Sequence, residues 1–183
     1  QLNLNDSTVA AVNRKHRNQN KLTVEAAVYN LNSDLLSTQT VNVDLGPEEV
    51  KPAVSLAAIL KKTPGISFVL LKLKNAAGTE LSRTTYWIEP SRNFLDLEKM
   101  PGTTVFMKIT GKETGGSETR WISSLTNPSK QVAFFVRLQL MDNKDEVMPS
   151  FWSGNYLTLA PGESIEVSVS VPARKTGTMK PEL

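Results

Sequence analysis

The chain has 183 residues, a formal net charge of +3 and no cysteine. The lack of cysteine excludes disulfides, thiolate metal sites and cysteine nucleophiles. So small a charge is weak evidence for a nucleic-acid or membrane partner, and no run approaches the roughly 18 apolar residues of a membrane-spanning helix. The length allows one large domain or two of about 90 residues each, because domains commonly have about 50–200 residues.

The first residues predict one strand and one polar loop. The chain opens at Gln1 and carries no charged and then apolar signal segment, so we expect a fragment or a processed product. Residues 8–13 are a strand candidate, and residues 13–20 form a polar run typical of loops. The cations of this run are not interleaved with aromatic residues or glycines, which disfavours a nucleic-acid contact.

A strand pair is predicted next. Leu22, Val24, Ala26 and Val28 occupy every second position, the pattern of a half-buried strand, and residues 35–45 return as its partner. A Gly-Pro pair then breaks the chain. The apolar residues that follow fit both helical and strand spacing, and a proline among them argues against a long helix. We therefore expect residues 50–62 to be irregular or a short strand.

The sequence predicts an internal repeat. A long apolar strand begins near Phe68 in the first half and near Phe134 in the second. Each is expected to turn and to return to an aromatic pair, Tyr86–Trp87 or Phe151–Trp152. The two patterns lie 65 to 67 positions apart and indicate two copies of one supersecondary unit. Residues 89–102 have the proline, serine and glycine content of a connection between domains.

The second half continues the strand pattern. Strands are expected at residues 104–109 and 118–125, followed by one long strand from residue 131. Its alternating apolar residues share one face: Val132, Phe134, Val136, Leu138 and Leu140. Pro161–Gly162 suits the centre of a type II turn, because proline presets φ and glycine accepts a positive φ. Residues 165–171 are then apolar at every second position.

These patterns together predict an all-β chain of two tandem immunoglobulin-like β-sandwiches. The first is expected over residues 1–92 and the second over residues 93–175. Residues 176–183 are expected to form a polar, poorly ordered tail.

Few residues carry catalytic or metal-binding chemistry. His16 is the only histidine, so a serine–histidine–aspartate triad would have to be built around a residue of the predicted polar loop. One histidine and no cysteine are also too few for a zinc site. The acidic residues of the turn at 142–146 lack the spacing and glycine of an EF-hand. No two carboxylates stand in an apolar setting that would separate their pKa values, and no cofactor motif is present.

The three tryptophans are the remaining candidates, because aromatic faces can stack on sugar rings. Trp87 and Trp152 each follow another aromatic residue at the end of a predicted strand, which favours a core or interdomain role. Trp121 alternates with polar residues. We therefore expect Trp121 to be the most exposed of the three and the candidate contact for carbohydrate, with burial in the core as an equal alternative.

The second half resembles the C-terminal immunoglobulin-like domain of glycoside hydrolase family 2 enzymes, of the exo-β-D-glucosaminidase and β-mannosidase type. The resemblance lies in the stretches FVRL at 135–138, VMP at 147–149, FWSGNY at 151–156 and LAPGES at 159–164. Gly154 departs from the family pattern, which has an aspartate there. The first half is similar to the preceding sandwich of the same enzymes, so the resemblance spans nearly the whole chain.

The resemblance implies a non-catalytic accessory region. In this family the catalytic centre is a separate (β/α)₈ barrel with two glutamates, of which the acid/base glutamate follows an asparagine. No asparagine of this chain precedes a glutamate, so the chain itself is not expected to be an enzyme. The implied partner is the barrel of the parent polypeptide, which would hydrolyse β-glucosaminides or β-mannosides. The family also implies a periplasmic or secreted bacterial protein.

Two other interpretations stay open. The chain could be an independent carbohydrate-binding module that uses an exposed aromatic residue such as Trp121. It could instead be a catalytically active fragment, which the missing acid/base pair makes hard to defend. Neither interpretation requires a cofactor, a nucleic acid or a membrane.

Overall fold

The computed structural model describes residues 1–172 and 179–183 as two compact units, Gln1–Met100 and Pro101–Leu183. The first unit consists of β1 (Leu2–Asn3), β2 (Thr8–Val12), β3 (Gln19–Asn30), β4 (Leu35–Leu45), β5 (Val50–Ser55), α1 (Ala57–Lys62), β6 (Ser67–Lys74), β7 (Glu80–Ile88) and a 3₁₀ helix (Leu95–Lys99). The second unit consists of β8 (Phe106–Gly115), β9 (Glu118–Thr126), β10 (Ala133–Val136), β11 (Gln139–Asp142), β12 (Asp145–Glu146), β13 (Phe151–Trp152), β14 (Leu157–Leu159), β15 (Ser164–Pro172) and β16 (Met179–Glu182).

The two compact units divide after Met100, whereas the sequence division falls after Arg92. The difference is the segment that contains the 3₁₀ helix, which groups with the first unit. The predicted sandwich architecture itself is confirmed, because each unit is built from antiparallel sheets in which every second residue of a strand is buried.

The first unit has two sheets, with strand orders β1-β2-β5 and β4-β3-β6-β7. The predicted face of β3 is confirmed: Leu22, Val24, Ala26 and Val28 are all buried. They pack in one apolar cluster with residues of both sheets, such as Val9 of β2. The alternation of β3 therefore places one face in the core, and the opposite face remains available for polar side chains.

The prediction of an irregular segment or a short strand at residues 50–62 is confirmed for the first part and wrong for the second. These residues form the strand β5, in which Pro52 lies opposite Ala10 at a register shift, and then the helix α1. A helix of six residues covers less than two turns, so it is too short to show a helical period in the sequence.

The second unit has a four-stranded sheet of order β13-β15-β9-β8, a three-stranded sheet β12-β11-β16 and the pair β10-β14. The long strand predicted from residue 131 is therefore wrong, because it is divided between β10 and β11, which lie in different sheets. Phe135, within β10 and shortly before this division, has a φ of 58°. The apolar alternation continues through the break, with Leu138 and Leu140 both buried, so the sequence pattern does not reveal it.

The predicted repeat at 65 to 67 positions is wrong. Phe68 pairs with Trp87 in the hairpin of β6 and β7. In the second unit β10 pairs with β14, and Phe151 pairs instead with Ser170 of β15. The aromatic residues that define the predicted repeat therefore occupy different places in the two units.

A different repeat is visible in the side-chain hydrogen bonds, beginning with Asn13, which is 5% exposed. Its Nδ2 donates to the carbonyl oxygens of Arg17 at 2.8 Å and Gly46 at 2.6 Å. Its Oδ1 accepts a hydrogen bond from the amide of Lys15 at 3.0 Å. The amide of Asn13 donates to the carbonyl oxygen of Glu49 at 2.8 Å.

In the second unit Asn127, fully buried, makes the same set of bonds. Its Nδ2 donates to the carbonyl oxygens of Gln131 at 2.7 Å and Ala160 at 3.0 Å. Its Oδ1 accepts from the amide of Ser129 at 3.2 Å, and its own amide donates to the carbonyl oxygen of Glu163 at 2.9 Å. All five residues lie 114 positions after their counterparts (13 and 127, 46 and 160, 49 and 163).

The strand register follows the same offset. Gln19 pairs with Leu45 in the first unit, and Ala133 pairs with Leu159 in the second. In both ladders the register shifts within the next three residues of the first strand. The two units are therefore repeats offset by 114 positions, in which the continuous β3 corresponds to β10 and β11 together.

The predicted polar tail at 176–183 is wrong for the part that the structure describes. Residues 176–178 lie outside the described residues, and Met179–Glu182 forms β16, which pairs with β11. Pro181 is buried within this pairing. Among the described residues, no helix has the length and apolar character needed to cross a membrane.

Candidate functional site

Trp121 is buried, with 2% of its surface exposed. It packs with Leu140, Val169 and Val171 in the core of the second unit, and the Lys112 ammonium lies 5.0 Å from the centre of its ring. Of the two alternatives predicted for Trp121, burial in the core is confirmed and exposure is wrong. The small polar residues Thr119 and Ser123 are buried beside it on the same face of β9, which is why alternation with polar neighbours does not identify the solvent face.

The other two tryptophans also differ in exposure. Trp87 is 41% exposed, so it is not a core residue. Trp152 is half-buried and packs against both apolar clusters of the second unit. The aromatic residue at the end of a predicted strand is thus a core residue in one case and a surface residue in the other.

The first unit carries a polar groove of about 670 Å³ on the outer face of its four-stranded sheet. Because the inward residues of β3 are apolar, the alternate residues Thr23 and Glu25 face this groove together with Asn42 of β4 and Lys74 of β6. The loop of residues 75–78, which follows β6, forms its end.

Polar side chains in the groove pair with one another. The Lys74 ammonium lies 2.7 Å from a Glu25 carboxylate oxygen, and the Thr23 hydroxyl donates to the Asn42 side-chain oxygen at 3.1 Å. Each member of these pairs retains further donor or acceptor capacity. The groove can therefore hydrogen-bond a polar ligand, but it holds no nucleophile paired with a base.

The loop at the end of the groove is held by its own hydrogen bonds. The side-chain oxygen of Asn75 accepts from the amides of Ala77 at 3.0 Å and Thr79 at 2.9 Å. Gly78 has a φ of 80°, a conformation that favours glycine. This end of the groove is consequently formed before any ligand binds.

The equivalent surface of the second unit is aromatic. Lys21, at the edge of the groove, has a φ of 54°, and its counterpart 114 positions later is Phe135, with a φ of 58°. Asn42 corresponds in the same way to Tyr156. Phe135 and Tyr156 are 47% and 50% exposed, and their ring centres lie 4.9 Å apart. Sequence analysis missed this pair because the repeat that relates it to the groove was not recognised.

No acid/base constellation is present among the described residues. His16 Nδ1 lies 3.2 Å from a Glu48 carboxylate oxygen on an exposed loop. The part of the chain that the structure describes has no group of three or more acidic, histidine or cysteine side chains that could hold a metal ion. Glu89 accepts hydrogen bonds from the Ser91 hydroxyl and the Asn93 amide, which lower its pKa. That direction is opposite to the one a general acid at neutral pH requires.

Two family profiles match consecutive parts of the chain. Residues 84–183 match the family described as exo-beta-D-glucosaminidase Ig-fold domain. Residues 5–93 match the family described as mannosidase Ig/CBM-like domain. The two matches overlap at residues 84–93, shortly before the division of the compact units after Met100.

Curated relatives agree with these matches. The exo-beta-D-glucosaminidase of Arthroderma benhamiae is 32% identical over 188 residues, which cover 91% of this chain and 21% of that relative. The exo-beta-D-glucosaminidase of Hypocrea jecorina is 26% identical, with 80% and 19% covered. The mannosylglycoprotein endo-beta-mannosidase of Lilium longiflorum is 25% identical, with 93% and 24% covered. The chain spans about a fifth to a quarter of the length of these relatives.

A solved structure has the same fold. The exo-chitosanase CsxA of Amycolatopsis orientalis superposes with a TM-score of 0.85 at 21% identity, over 99% of this chain and 24% of that one. The fold, the repeated sandwich and the two profile matches agree with the resemblance seen in the sequence. The chain belongs to the exo-beta-D-glucosaminidase Ig-fold domain family, preceded in the same chain by a mannosidase Ig/CBM-like domain.

Proposed function

We propose that the chain is a non-catalytic accessory region of a family 2 glycoside hydrolase. In this proposal its two sandwiches pack on and support a separate (β/α)₈ barrel that hydrolyses β-glucosaminides or β-mannosides. The observation that carries the proposal is coverage: the chain aligns over 91% of its own length with only 21% of an exo-beta-D-glucosaminidase. An accessory region of this kind requires folded sandwiches, and both units form them.

Hydrolysis by the isolated chain tests the non-catalytic part of this proposal. The purified chain would be incubated with p-nitrophenyl β-D-glucosaminide and p-nitrophenyl β-D-mannoside, with a known hydrolase as positive control. We expect p-nitrophenol release no faster than in buffer, because the two carboxylates that line the groove of the first unit, Glu25 and Asp44, are held by the Lys74 ammonium and the Lys21 amide and are not available as an acid and a nucleophile. Release that is saturable in substrate and absent after heat denaturation would contradict the proposal.

A carbohydrate-binding role is the second candidate function. It is favoured by the match of residues 5–93 to a family whose description includes the term CBM-like, and by the polar groove on that unit. Trp121 does not supply the aromatic surface for this role, because its ring is buried. A stacking surface must come from exposed rings elsewhere in the chain.

A further inference from the structure

Phe135 and Tyr156 form an exposed aromatic pair on the second unit. Their ring planes are tilted by 41° with centres 4.9 Å apart, and the ring of Phe134 lies 5.5 Å from that of Phe135. About half of each of the paired rings is open to solvent. Contiguous apolar patches that stay exposed to solvent are found more often at binding sites than elsewhere on a protein.

The backbone holds both rings in an uncommon conformation. Phe135 has a φ of 58° and Tyr156 a φ of 52°, in the left-handed region that large side chains rarely adopt. Phe135 lies at the register shift between β10 and β14. Bulges in sheets commonly redirect a side chain, often next to a functional site, and strained residues cluster at ligand-binding positions.

Asn155 fixes the loop that carries Tyr156. Its side-chain oxygen accepts from the amide of Leu138 at 2.7 Å, and its side-chain nitrogen donates to the carbonyl oxygen of Leu138 at 2.8 Å. The same oxygen accepts from the amide of Tyr156 at 2.8 Å. The two rings are therefore set in place before binding, which reduces the entropy that a small ligand must overcome.

Polar groups lie between Phe135 and Tyr156 in the chain. Arg137 Nη2 lies 2.6 Å from a Glu146 carboxylate oxygen, and the side-chain nitrogen of Gln139 donates to the same oxygen at 3.0 Å. These side chains alternate with the buried Leu138 and Leu140, so they lie on the solvent side of the segment. Arg137 and Gln139 lie two and four positions after Phe135 in the chain, and a sugar presents both apolar C–H faces for rings and hydroxyl edges for hydrogen-bonding groups.

The size of the pair favours a small ligand over a protein. An aromatic side chain buries about 150–250 Å² in full, so two half-exposed rings offer roughly that area together. A specific protein–protein interface buries about 800 Å² on each partner. The available area is that of one or two sugar rings.

We propose that Phe135 and Tyr156 bind a β-linked pyranose oligosaccharide, with sugar C–H faces on the rings and hydroxyls on the groups around Arg137. This site is additional to the accessory role and does not depend on it. Absence of sugar binding would remove this site and leave the support of a barrel untouched, whereas hydrolysis by the isolated chain would contradict only the accessory role.

The test is a titration of the full chain with β-1,4-linked glucosamine and mannose tetramers, followed by amide and aromatic NMR shifts. We expect saturable shifts at Phe135, Tyr156 and Asn155. Shifts confined to the groove residues of the first unit, such as Thr23 and Asn42, would overturn the proposal in favour of that groove. The absence of a saturable shift with either tetramer would also overturn the proposal, and this result needs no variant.

Matched variants come from the repeat itself. Phe135→Lys and Tyr156→Asn install the residues found at the equivalent positions of the first unit, so the same fold already accommodates them. We expect each to weaken binding about tenfold, the loss expected when one aromatic contact is removed. Phe151→Ser, which removes a ring that is 61% exposed elsewhere, should leave affinity unchanged.

Two results of the variant series would contradict the proposal. One is binding that Phe135→Lys and Tyr156→Asn leave unchanged while circular dichroism confirms that both variants are folded. The other is concentration-dependent self-association in sedimentation that the same variants abolish, since the pair would then be a contact between copies of the chain.

Discussion

At the residue scale, the burial of Trp121 predicts that this side chain stabilises the fold. Trp121→Ala should lower the free energy of unfolding by about 3–5 kcal/mol, the usual loss when a large aromatic residue is truncated in a core. Chemical denaturation measures the change. Trp87→Ala, at a position that is 41% exposed, serves as the comparison and should cost less. Equal losses at the two positions would contradict the assignment of Trp121 to the core.

The buried asparagine of each repeat is a second residue on which stability depends. Asn127→Asp retains an acceptor for Ser129 but cannot donate to the carbonyl oxygens of Gln131 and Ala160. Because each buried polar group left without a partner costs about 1–3 kcal/mol, we expect a loss of at least that size in the free energy of unfolding. Asn13→Asp should have a similar effect on the first unit. A variant as stable as the parent chain would show that these bonds contribute little.

Glu89 offers a test of a single hydrogen bond. The Ser91 hydroxyl donates to a Glu89 carboxylate oxygen at 2.7 Å and is the main cause of the lowered pKa. Ser91→Ala should therefore raise the Glu89 pKa toward its ordinary value of 4.5. Carboxyl-carbon NMR during an acid titration measures this pKa directly, and Ser117→Ala, at an exposed position of the second unit, is the control. An unchanged midpoint in Ser91→Ala would assign the effect to the backbone amide of Asn93 instead.

The sign of the associated stability change follows from the direction of the shift. A carboxyl whose pKa is lower in the folded state stabilises that state above its unfolded pKa. This contribution decreases as the pH falls through the lowered folded pKa. Ser91→Ala should therefore reduce the dependence of stability on pH in the acid range. At neutral pH, Glu89 should stabilise the folded state less than in the parent chain.

At the element scale, the sequence predicts strands best where one face is uniformly apolar. The face of β3 and that of β15 follow from simple alternation, since Val24 and Val28, like Val167 and Val169, all point into a core. Alternation does not reveal where a strand changes sheet. The break that follows Phe135 depends on backbone conformation. The residue pattern does not show that this phenylalanine has a positive φ.

The limited information in apolar alternation also explains why the site residues were not predicted correctly. The polar neighbours of Trp121 left exposure and burial as equal alternatives, because polarity alone does not show that Thr119 and Ser123 share its buried face. Phe135 lies off the apolar face of the strand predicted from residue 131, and Tyr156 belongs only to the stretch that carries the family resemblance, so neither was a candidate site residue. The hydrogen bonds of Asn13 and Asn127 become recognisable as a repeat only when the contacts are known. Few residues at equivalent positions of the two units are alike in sequence.

The strand β16 gives a prediction at this scale. It pairs with β11 over four residues and buries Pro181. A chain that ends at residue 178 should therefore be less stable by about 2 kcal/mol or more, since several ladder hydrogen bonds are lost. Thermal unfolding measures the effect. Unchanged unfolding of the truncated chain would support the expectation of a poorly ordered tail.

At the scale of the whole molecule, the two repeats have the same framework and different surfaces. Each has an asparagine-centred network, a Pro-containing turn and a bulge at the same place, so the framework accounts for folding in both units. The surface beside the bulge is a polar groove in the first unit and an aromatic pair in the second. The residues of the shared framework are needed for the fold, and the residues that differ on the surface are available for binding.

The accessory role makes a claim about a larger polypeptide, and a relative provides the means to test it. The exo-beta-D-glucosaminidase of Arthroderma benhamiae contains a region 32% identical to this chain. Three forms of that relative would be compared: intact, lacking the matching region, and with that region replaced by this chain. Each would be assayed for its unfolding temperature and its residual activity.

The unfolding temperature of these three forms is the most direct measurement of the central claim. We expect a lower unfolding temperature and faster inactivation when the region is deleted, with at least partial recovery when this chain takes its place. A deleted form that unfolds at the same temperature as the intact relative, with the same activity, would contradict a supporting role for the two sandwiches.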